Sequence, residues 1–205
     1  MYVVHKALFF CTIIQTVKEE NMKFDPIVKV QQNRLFKISD GAEIPLENPV
    51  VVSGAECSAA AVPAKDAFCL VTVAWRDVEF SEGGYNEEYL AALREFLKKC
   101  EESGAFCAVV PAVAKALEDA DEAESFIAAM VHAARRIKDC TSVLGFAIAP
   151  ELLAKDTDFG ANSYTQWFIN EMNVKHSHYV YFAQKNAVAA TGVPLSSAAT
   201  ELVLY

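Results

Sequence analysis

The sequence predicts an α/β protein in which parallel strands alternate with helices. Four continuous apolar runs have the length and Val-rich composition of strands that are buried on both faces of a sheet. They occupy residues 48–54, 68–75, 105–111 and 142–149. Segments with apolar residues at helical spacing follow the second and third runs. This repeated order of strand and helix predicts parallel pairing with right-handed crossovers.

The first helix, predicted over residues 86–103, has clear start and stop signals. Asn86 can cap its amino end, and Glu87 and Glu88 place negative charge in its first turn. Gly104 follows its last turn, where glycine commonly ends a helix. One face is apolar and should pack on the sheet; it contains Tyr89, Leu93, Phe96, Leu97 and Cys100.

The rest of the chain continues the alternation. A second helix is predicted over residues 120–138, with an apolar stripe of Phe126, Ile127, Met130, Ala134 and Ile137. A third helix over residues 163–174 leads to a fifth strand at residues 178–183. The apolar residues 201–205 can form a sixth strand.

Two architectures fit five or six such strands, an open doubly wound sheet and a (β/α) barrel. An open sheet usually binds a nucleotide at a glycine-rich turn after its first strand. Residues 50–60 contain neither G-x-G-x-x-G nor a phosphate-binding loop, so we expect no organic cofactor. A complete eight-stranded barrel typically takes about 250 residues, whereas this chain has 205 and is not expected to form one.

The charge, the cysteines and the histidines indicate which partners, disulfides and metal ions to expect. The net charge is −9 and the chain has no basic run, which argues against nucleic acid as a partner. The six cysteines form no C-x-x-C pair, and most lie in apolar segments, so reduced buried thiols are favoured over disulfides. His176 and His178 would share one face of a strand, but a metal site needs a third ligand, and we expect no metal.

The first 21 residues form a segment distinct from the domain predicted over residues 22–205. Residues 7–17 are an apolar run preceded by Lys6, without a small-residue cleavage pattern after it. The run is too short and too polar to span a bilayer. Either it is a weak export signal, which implies a secreted or periplasmic protein, or Met22 is the true start and the protein is cytoplasmic.

Three segments resemble glycoside hydrolase family 5, the cellulase-like barrel enzymes. Residues 75–90, W-R-D-V-E-F-S-E-G-G-Y-N-E-E-Y-L, resemble the exit of the second barrel strand, where Trp ends the strand and G-x-Y-N-x-x-Y-L starts the helix. Residues 143–152 resemble the fourth strand, which ends in Asn-Glu-Pro in that family, and residues 28–54 resemble its opening hairpin and first strand. The resemblance implies TIM-barrel-like (β/α) repeats that form an incomplete or degenerate barrel.

The resemblance also implies site residues. The acid/base glutamate of the family falls on Glu151, and the preceding Asn falls on Pro150. Its strand-two Arg falls on about Leu70, and its strand-three His on about Ala112. Trp75, Asp77 and Glu79, at the exit of the second strand, are the candidate substrate-binding residues, with Trp75 also suited to the core and the two carboxylates to a solvent-facing strand exit.

The carboxylates leave two functions open. Retaining hydrolysis needs two carboxylates about 5–5.5 Å apart, and no convincing nucleophile accompanies Glu151, because Glu201 precedes a strand rather than following one. The chain is therefore either a hydrolase of β-linked glycans or an inactive or truncated barrel relative that binds carbohydrate or a protein. An incomplete barrel has two open sheet edges, which predicts edge-to-edge pairing in a homodimer.

Overall fold

A computed structural model of the protein describes residues 24–198 and 200–205. The predicted extension at residues 1–21, with its two alternatives of an export signal or a start at Met22, lies outside this range.

The described chain opens with a small antiparallel sheet. It consists of β1 (Val28–Gln31), β2 (Arg34–Lys37) and β3 (Glu43–Ile44), in that order across the sheet. Gln32 and Asn33 join β1 to β2 with positive φ angles of 52° and 62°, as a two-residue hairpin turn requires. An opening hairpin is thus present where the family resemblance implies one.

Strands and helices then alternate as the sequence predicts. In chain order they are β4 (Val50–Ser53), β5 (Phe68–Ala74), α1 (Trp75–Val78), β6 (Glu79–Ser81), β7 (Gly84–Tyr85), α2 (Glu87–Ser103), β8 (Phe106–Ala112), α3 (Ala120–Ile137), β9 (Val143–Ala147), α4 (Pro150–Leu153), α5 (Tyr164–His176), β10 (Val180–Ala183), α6 (Lys185–Thr191) and β11 (Leu202–Leu204). Asn86 caps α2 by accepting a hydrogen bond from the Tyr89 amide at 3.1 Å, and Gly104 ends that helix in the left-handed region. The sixth predicted strand is present as β11.

The main sheet has six parallel strands that lie side by side in sequence order, β4-β5-β8-β9-β10-β11. A doubly wound sheet would instead reverse its strand order part-way along the chain. Strands that advance in one direction with right-handed crossovers place their helices on the same face, as in a barrel. The fold is therefore TIM-barrel-like, and within the described residues the sheet ends at β4 and β11.

Each face of the main sheet has its own apolar core. The larger core lies between the sheet and helices α2, α3 and α5. The smaller one lies on the opposite face, where Val28, Leu35 and Ile44 of the antiparallel sheet pack against the strands. Phe68 on β5 and Phe182 on β10 meet there with ring centroids 5.7 Å apart. In a flat sheet those two strands would be about 14 Å apart, so this face is strongly concave, like the interior of a barrel.

One contact limits how β9 and β10 can pair. A Cβ atom at Gly145 would lie 1.7 Å from the carbonyl oxygen of Val180, which is directly opposite in the parallel register. Glycine at this position therefore permits a close approach of the two backbones that no other residue allows.

Two local predictions are wrong. His176 is the last residue of α5 and not part of a strand, because the helix continues two residues beyond its predicted end. Asp77 lies in the helical turn α1, so it does not alternate with Glu79 along an extended strand. The residues that the structure describes contain no group of three side chains suited to a metal ion.

The described part of the chain has no helix that is both long and apolar enough to cross a bilayer. Its five cysteines are all buried and unpaired, as the sequence favours; they are Cys57, Cys69, Cys100, Cys107 and Cys140.

Candidate functional site

A cavity of about 820 Å³ opens at the carboxyl ends of β5 and β8. Its walls come from the segments that follow these strands. They are α1 with the β6–β7 hairpin on one side, and the β8–α3 loop with the first turn of α3 on the other. In parallel α/β sheets this end of the strands is where ligands bind. We call this space the carboxyl-end cavity.

Trp75 and Glu79 form one wall of the cavity and are bonded to each other. The indole Nε1–H of Trp75 donates to Oε2 of Glu79 at 2.7 Å, and the Gly83 amide donates to Oε1 of the same carboxylate at 2.8 Å. Glu79 therefore fastens the β6–β7 hairpin to the end of β5. Trp75 also packs edge-on against Phe126 of α3, with ring centroids 5.8 Å apart. Trp75 therefore has the position expected for a core residue and also that expected for a substrate-binding residue, because it packs on the core and lines the cavity.

Phe80 of β6 belongs to the same wall of the cavity, and it is not among the site residues predicted from the sequence. Its side chain is 72% exposed although it is large and apolar, and it lines the cavity. A lone exposed apolar residue is ordinary on a protein surface, but Phe80 stands beside Trp75 at one opening. The signal in the sequence was its place within an otherwise polar run, residues 79–84, that ends in a glycine pair.

Charged side chains form the opposite wall. The Lys115 ammonium donates to Glu118 and Glu122, each at 2.9 Å, and these two hydrogen bonds raise the pKa of Lys115. The Glu122 carboxylate also accepts the Glu118 amide at 2.7 Å, and this bond is the main cause of the lowered pKa of Glu122. Asp119 caps α3 by accepting the Glu122 amide. The wall thus presents the Glu122 carboxylate, which is held in place by the Lys115 ammonium group and the Glu118 amide.

Of the four predicted site residues, the structure brings two together and separates the others. Asp77 and Glu151 are not among the described residues that line the cavity. The Asp77 carboxylate lies 3.8 Å from Nε of Arg76, and its charge adds to burial in raising the pKa of the Tyr89 hydroxyl. Asp77 therefore lies beside Arg76, which lines the cavity, without lining the cavity itself.

Glu151 lies in the first turn of α4, four residues beyond the end of β9. Its Oε2 atom is buried and has no hydrogen-bond partner among the described residues. Apolar residues stand at the two positions where the family has its strand-two Arg and its strand-three His. Leu70 is buried in the concave core, and Ala112 lines the cavity without a polar group. Glu201 precedes β11, at the amino end of that strand.

Comparison with solved structures finds partial matches of fold at low sequence identity. An endogalactoceramidase superposes with a TM-score of 0.54 at 11% sequence identity, over 78% of this chain and 53% of that one. Endo-glycoceramidase II from Rhodococcus sp. gives a TM-score of 0.50 at 11% identity, over 66% and 48%. A subfamily 18 member of glycoside hydrolase family 5 from Bifidobacterium longum subsp. infantis gives 0.43 at 11% identity, over 57% and 34%.

Over about two thirds or more of its length, the chain is similar in fold to the two ceramidases. It spans about a third to a half of the length of the three structures. The sequence matches no protein-family model and no curated protein. The likeness therefore concerns the backbone fold.

Proposed function

We propose that this chain binds carbohydrate in the carboxyl-end cavity, with Trp75 and Phe80 as the surfaces on which sugar rings pack. The observation that carries the proposal is the presence of two aromatic side chains at one opening, at the ligand-binding end of a barrel-like sheet. The C–H faces of a pyranose are apolar, whereas its hydroxyls need polar partners. The cavity offers both, because carboxylate side chains line it together with the two aromatic residues.

β-linked glycans are the ligand class that we propose. The two solved structures with the higher TM-scores are an endogalactoceramidase and an endo-glycoceramidase trapped as a lactosyl-enzyme intermediate. Lactose, a β-linked disaccharide, is therefore the first probe. The cavity volume of about 820 Å³ falls within the usual range for small-ligand sites, about 300–1,000 Å³.

Calorimetric titration of the full chain with lactose and with cellotetraose tests this proposal. Phe80→Ala should weaken binding about 2- to 12-fold, because an aromatic packing contact is worth about 0.5–1.5 kcal/mol. Val174→Ala is the matched control, since Val174 is also 72% exposed but lies on α5, away from the cavity. Equal affinities for the Phe80 variant and the wild type, or no binding of either glycan, would refute the proposal.

A second candidate function is hydrolysis of β-linked glycans with Glu151 as the acid/base. The observation in its favour is the buried Oε2 atom of Glu151, which lacks a hydrogen-bond partner among the described residues. The family resemblance assigns the acid/base role to Glu151, but a second carboxylate is still needed as nucleophile. Carbohydrate binding is therefore the function that the described residues favour.

Hydrolysis is tested with aryl β-glycosides. If Glu151 is the acid/base, Glu151→Gln should lower turnover about 100- to 10,000-fold, as loss of a general acid usually does. Glu88→Gln is the control, because Glu88 also lies in the first turn of a helix but is exposed. If the wild-type chain binds lactose and cleaves no glycoside, the binding proposal stands and the hydrolase proposal is wrong.

A further inference from the structure

A separate cavity, of about 490 Å³, lies along helices α3 and α5. Its lining side chains come from residues 124–135 of α3, from residues 167–176 of α5 and from Tyr85 of β7. None of them lines the carboxyl-end cavity. The volume falls within the usual range for small-ligand sites, about 300–1,000 Å³. We call this space the α3–α5 groove.

One row of side chains on α5 gives the groove an aromatic, an acidic and a basic group in succession. Trp167, Glu171 and Lys175 are four residues apart, so each lies about one helical turn beyond the last. A glutamate four residues before a lysine usually pairs with it on a helix. Here, within the described part of the chain, neither charged side chain has a hydrogen bond or an ion pair. Both are exposed, so both charges can be used by a ligand.

Aromatic rings form the other side of the groove. Tyr85 stacks on His132 of α3, with ring centroids 3.7 Å apart and planes inclined by 14°. Glu87 holds the histidine in place, because its Oε1 atom is hydrogen-bonded to His132 Nε2 at 2.9 Å. Trp167 is half-buried on the α5 side. Flat ring surfaces thus line the groove from both helices, which suits an aromatic ligand.

Positive charge is concentrated where the two helices end. Helices α3 and α5 lead into β9 and β10, which are parallel neighbours, so both helices end on the same side of the sheet. Lys175 is one residue from the end of α5, and Arg135 is two residues from the end of α3. Among the described residues, Arg135 has no hydrogen bond or ion pair through its side chain. A negative group of a ligand would be stabilised at this end.

His176 lies at the same end and has unused hydrogen-bonding capacity. It is 1% exposed, and neither of its ring nitrogens has a hydrogen-bond partner among the described residues. Burial and neighbouring positive charges lower its pKa to about 4, so the ring is neutral near pH 7 and has one N–H donor. A buried donor without an acceptor costs free energy. A ligand carboxylate at this end of the groove would supply the acceptor.

We propose that the α3–α5 groove binds a free aromatic α-amino acid in its zwitterionic form. The aromatic ring lies between Trp167 and the stacked pair of Tyr85 and His132. The ammonium group lies at Glu171 and the carboxylate at Lys175, in the order in which these side chains follow one another along α5.

The charge balance of the groove favours a zwitterion over a simple anion or cation. Its lining carries two carboxylates, Glu124 and Glu171, and two cations, Arg135 and Lys175, so the formal charges cancel. Glu124 and Arg135 are about 16 Å apart along α3, which is farther than the two charged groups of one amino acid can reach. Glu171 and Lys175 are about 6 Å apart along α5. That separation suits an ammonium and a carboxylate group on one carbon atom.

An NMR titration of the full chain tests the proposal at each site separately. The chain has two tryptophans, Trp75 in the carboxyl-end cavity and Trp167 in the groove, and each gives one indole N–H signal. The ligands are L-phenylalanine, phenylacetate, which lacks the ammonium group, and 2-phenylethylamine, which lacks the carboxylate. We expect L-phenylalanine to shift the Trp167 signal. It should bind about 2- to 5-fold more tightly than either analogue, because each missing group removes one exposed ion pair.

Charge variants show which side chain holds which group. Glu171→Gln should lower the affinity for L-phenylalanine to that for phenylacetate, and Lys175→Gln should lower it to that for 2-phenylethylamine. Glu56→Gln and Lys29→Gln are the matched controls, because these residues are also exposed but lie outside the groove. The proposal is overturned if millimolar L-phenylalanine leaves the Trp167 signal unmoved or shifts only the Trp75 signal. Equal affinities for the three compounds would overturn it as well.

Discussion

Replacement of Glu79 by Gln tests whether this carboxylate organises the wall of the carboxyl-end cavity. In the wild type, its two oxygens accept separate hydrogen bonds, from the Trp75 indole at 2.7 Å and from the Gly83 amide at 2.8 Å. A glutamine side chain has one oxygen and one NH2 group, so it can accept only one of these bonds. The other donor would then face a second donor, and the β6–β7 hairpin should open more often.

The size of the effect follows from the bond that is lost. A hydrogen bond to a charged group contributes about 1.5–3 kcal/mol, and the exposed position of Gly83 places this one at the lower end. A change of about 1.4 kcal/mol is a factor of ten in an equilibrium constant. We therefore expect the Gly83 amide to exchange with solvent about tenfold faster in Glu79→Gln than in the wild type. Lactose binding should weaken in parallel, because Phe80 is carried on the same hairpin.

Hydrogen exchange measured by NMR resolves the Gly83 amide and gives this rate directly. Asp77→Asn is the matched control, since it removes a carboxylate two residues away that does not line the cavity. Its Gly83 exchange rate should equal that of the wild type. An unchanged rate in Glu79→Gln, or the same acceleration in both variants, would refute the assignment of Glu79 as the residue that fastens the hairpin.

Three further predictions concern the fold. Gly145→Ala should lower the free energy of unfolding in urea by about 3 kcal/mol, because its Cβ would lie 1.7 Å from the Val180 carbonyl oxygen. His176 is only 1% exposed, and burial together with neighbouring charges, including His178, lowers its pKa to about 4. Because the unfolded state takes up the proton first, the free energy of unfolding should fall by about 3 kcal/mol between pH 6.5 and pH 4. Val51, 67% exposed on the edge strand β4, should pair with a second copy, and Val51→Lys should shift the mass seen by light scattering from dimer to monomer.

Each of these has its own control. Gly41→Ala also replaces a glycine, but nothing lies within 4 Å of the new Cβ, so only the left-handed φ of 73° should cost stability, about 1 kcal/mol. His176→Gln should flatten the loss of stability between pH 6.5 and pH 4 if that residue causes it. Val174→Lys changes an exposed valine away from the sheet edge and should leave the mass unchanged. A monomeric wild type would contradict edge pairing.

The elements that the sequence predicted well are those governed by local signals. Asn86 and Gly104 mark the ends of α2, and the structure uses both residues in those roles. The end of α5 was misjudged because no glycine or proline follows residue 174 closely, and the helix runs on to His176. The sequence predicted the same role, substrate binding at a strand exit, for Trp75, Asp77 and Glu79. A single helical turn, α1, separates them by directing Asp77 away from the cavity.

By itself, the sequence determined the α/β class, five parallel strands with a possible sixth, and the apolar faces of the long helices. These features follow from hydrophobic periodicity and from the residues that start or end a helix. Both signals act over only a few residues of the chain. Only the tertiary structure decided that the strands lie in sequence order, that the antiparallel sheet covers the concave face, and that Trp75, Glu79 and Phe80 share one cavity while Glu151 stays outside it. Those facts depend on contacts between residues far apart in the chain, such as Phe68 with Phe182, and no local pattern encodes which distant side chains will meet.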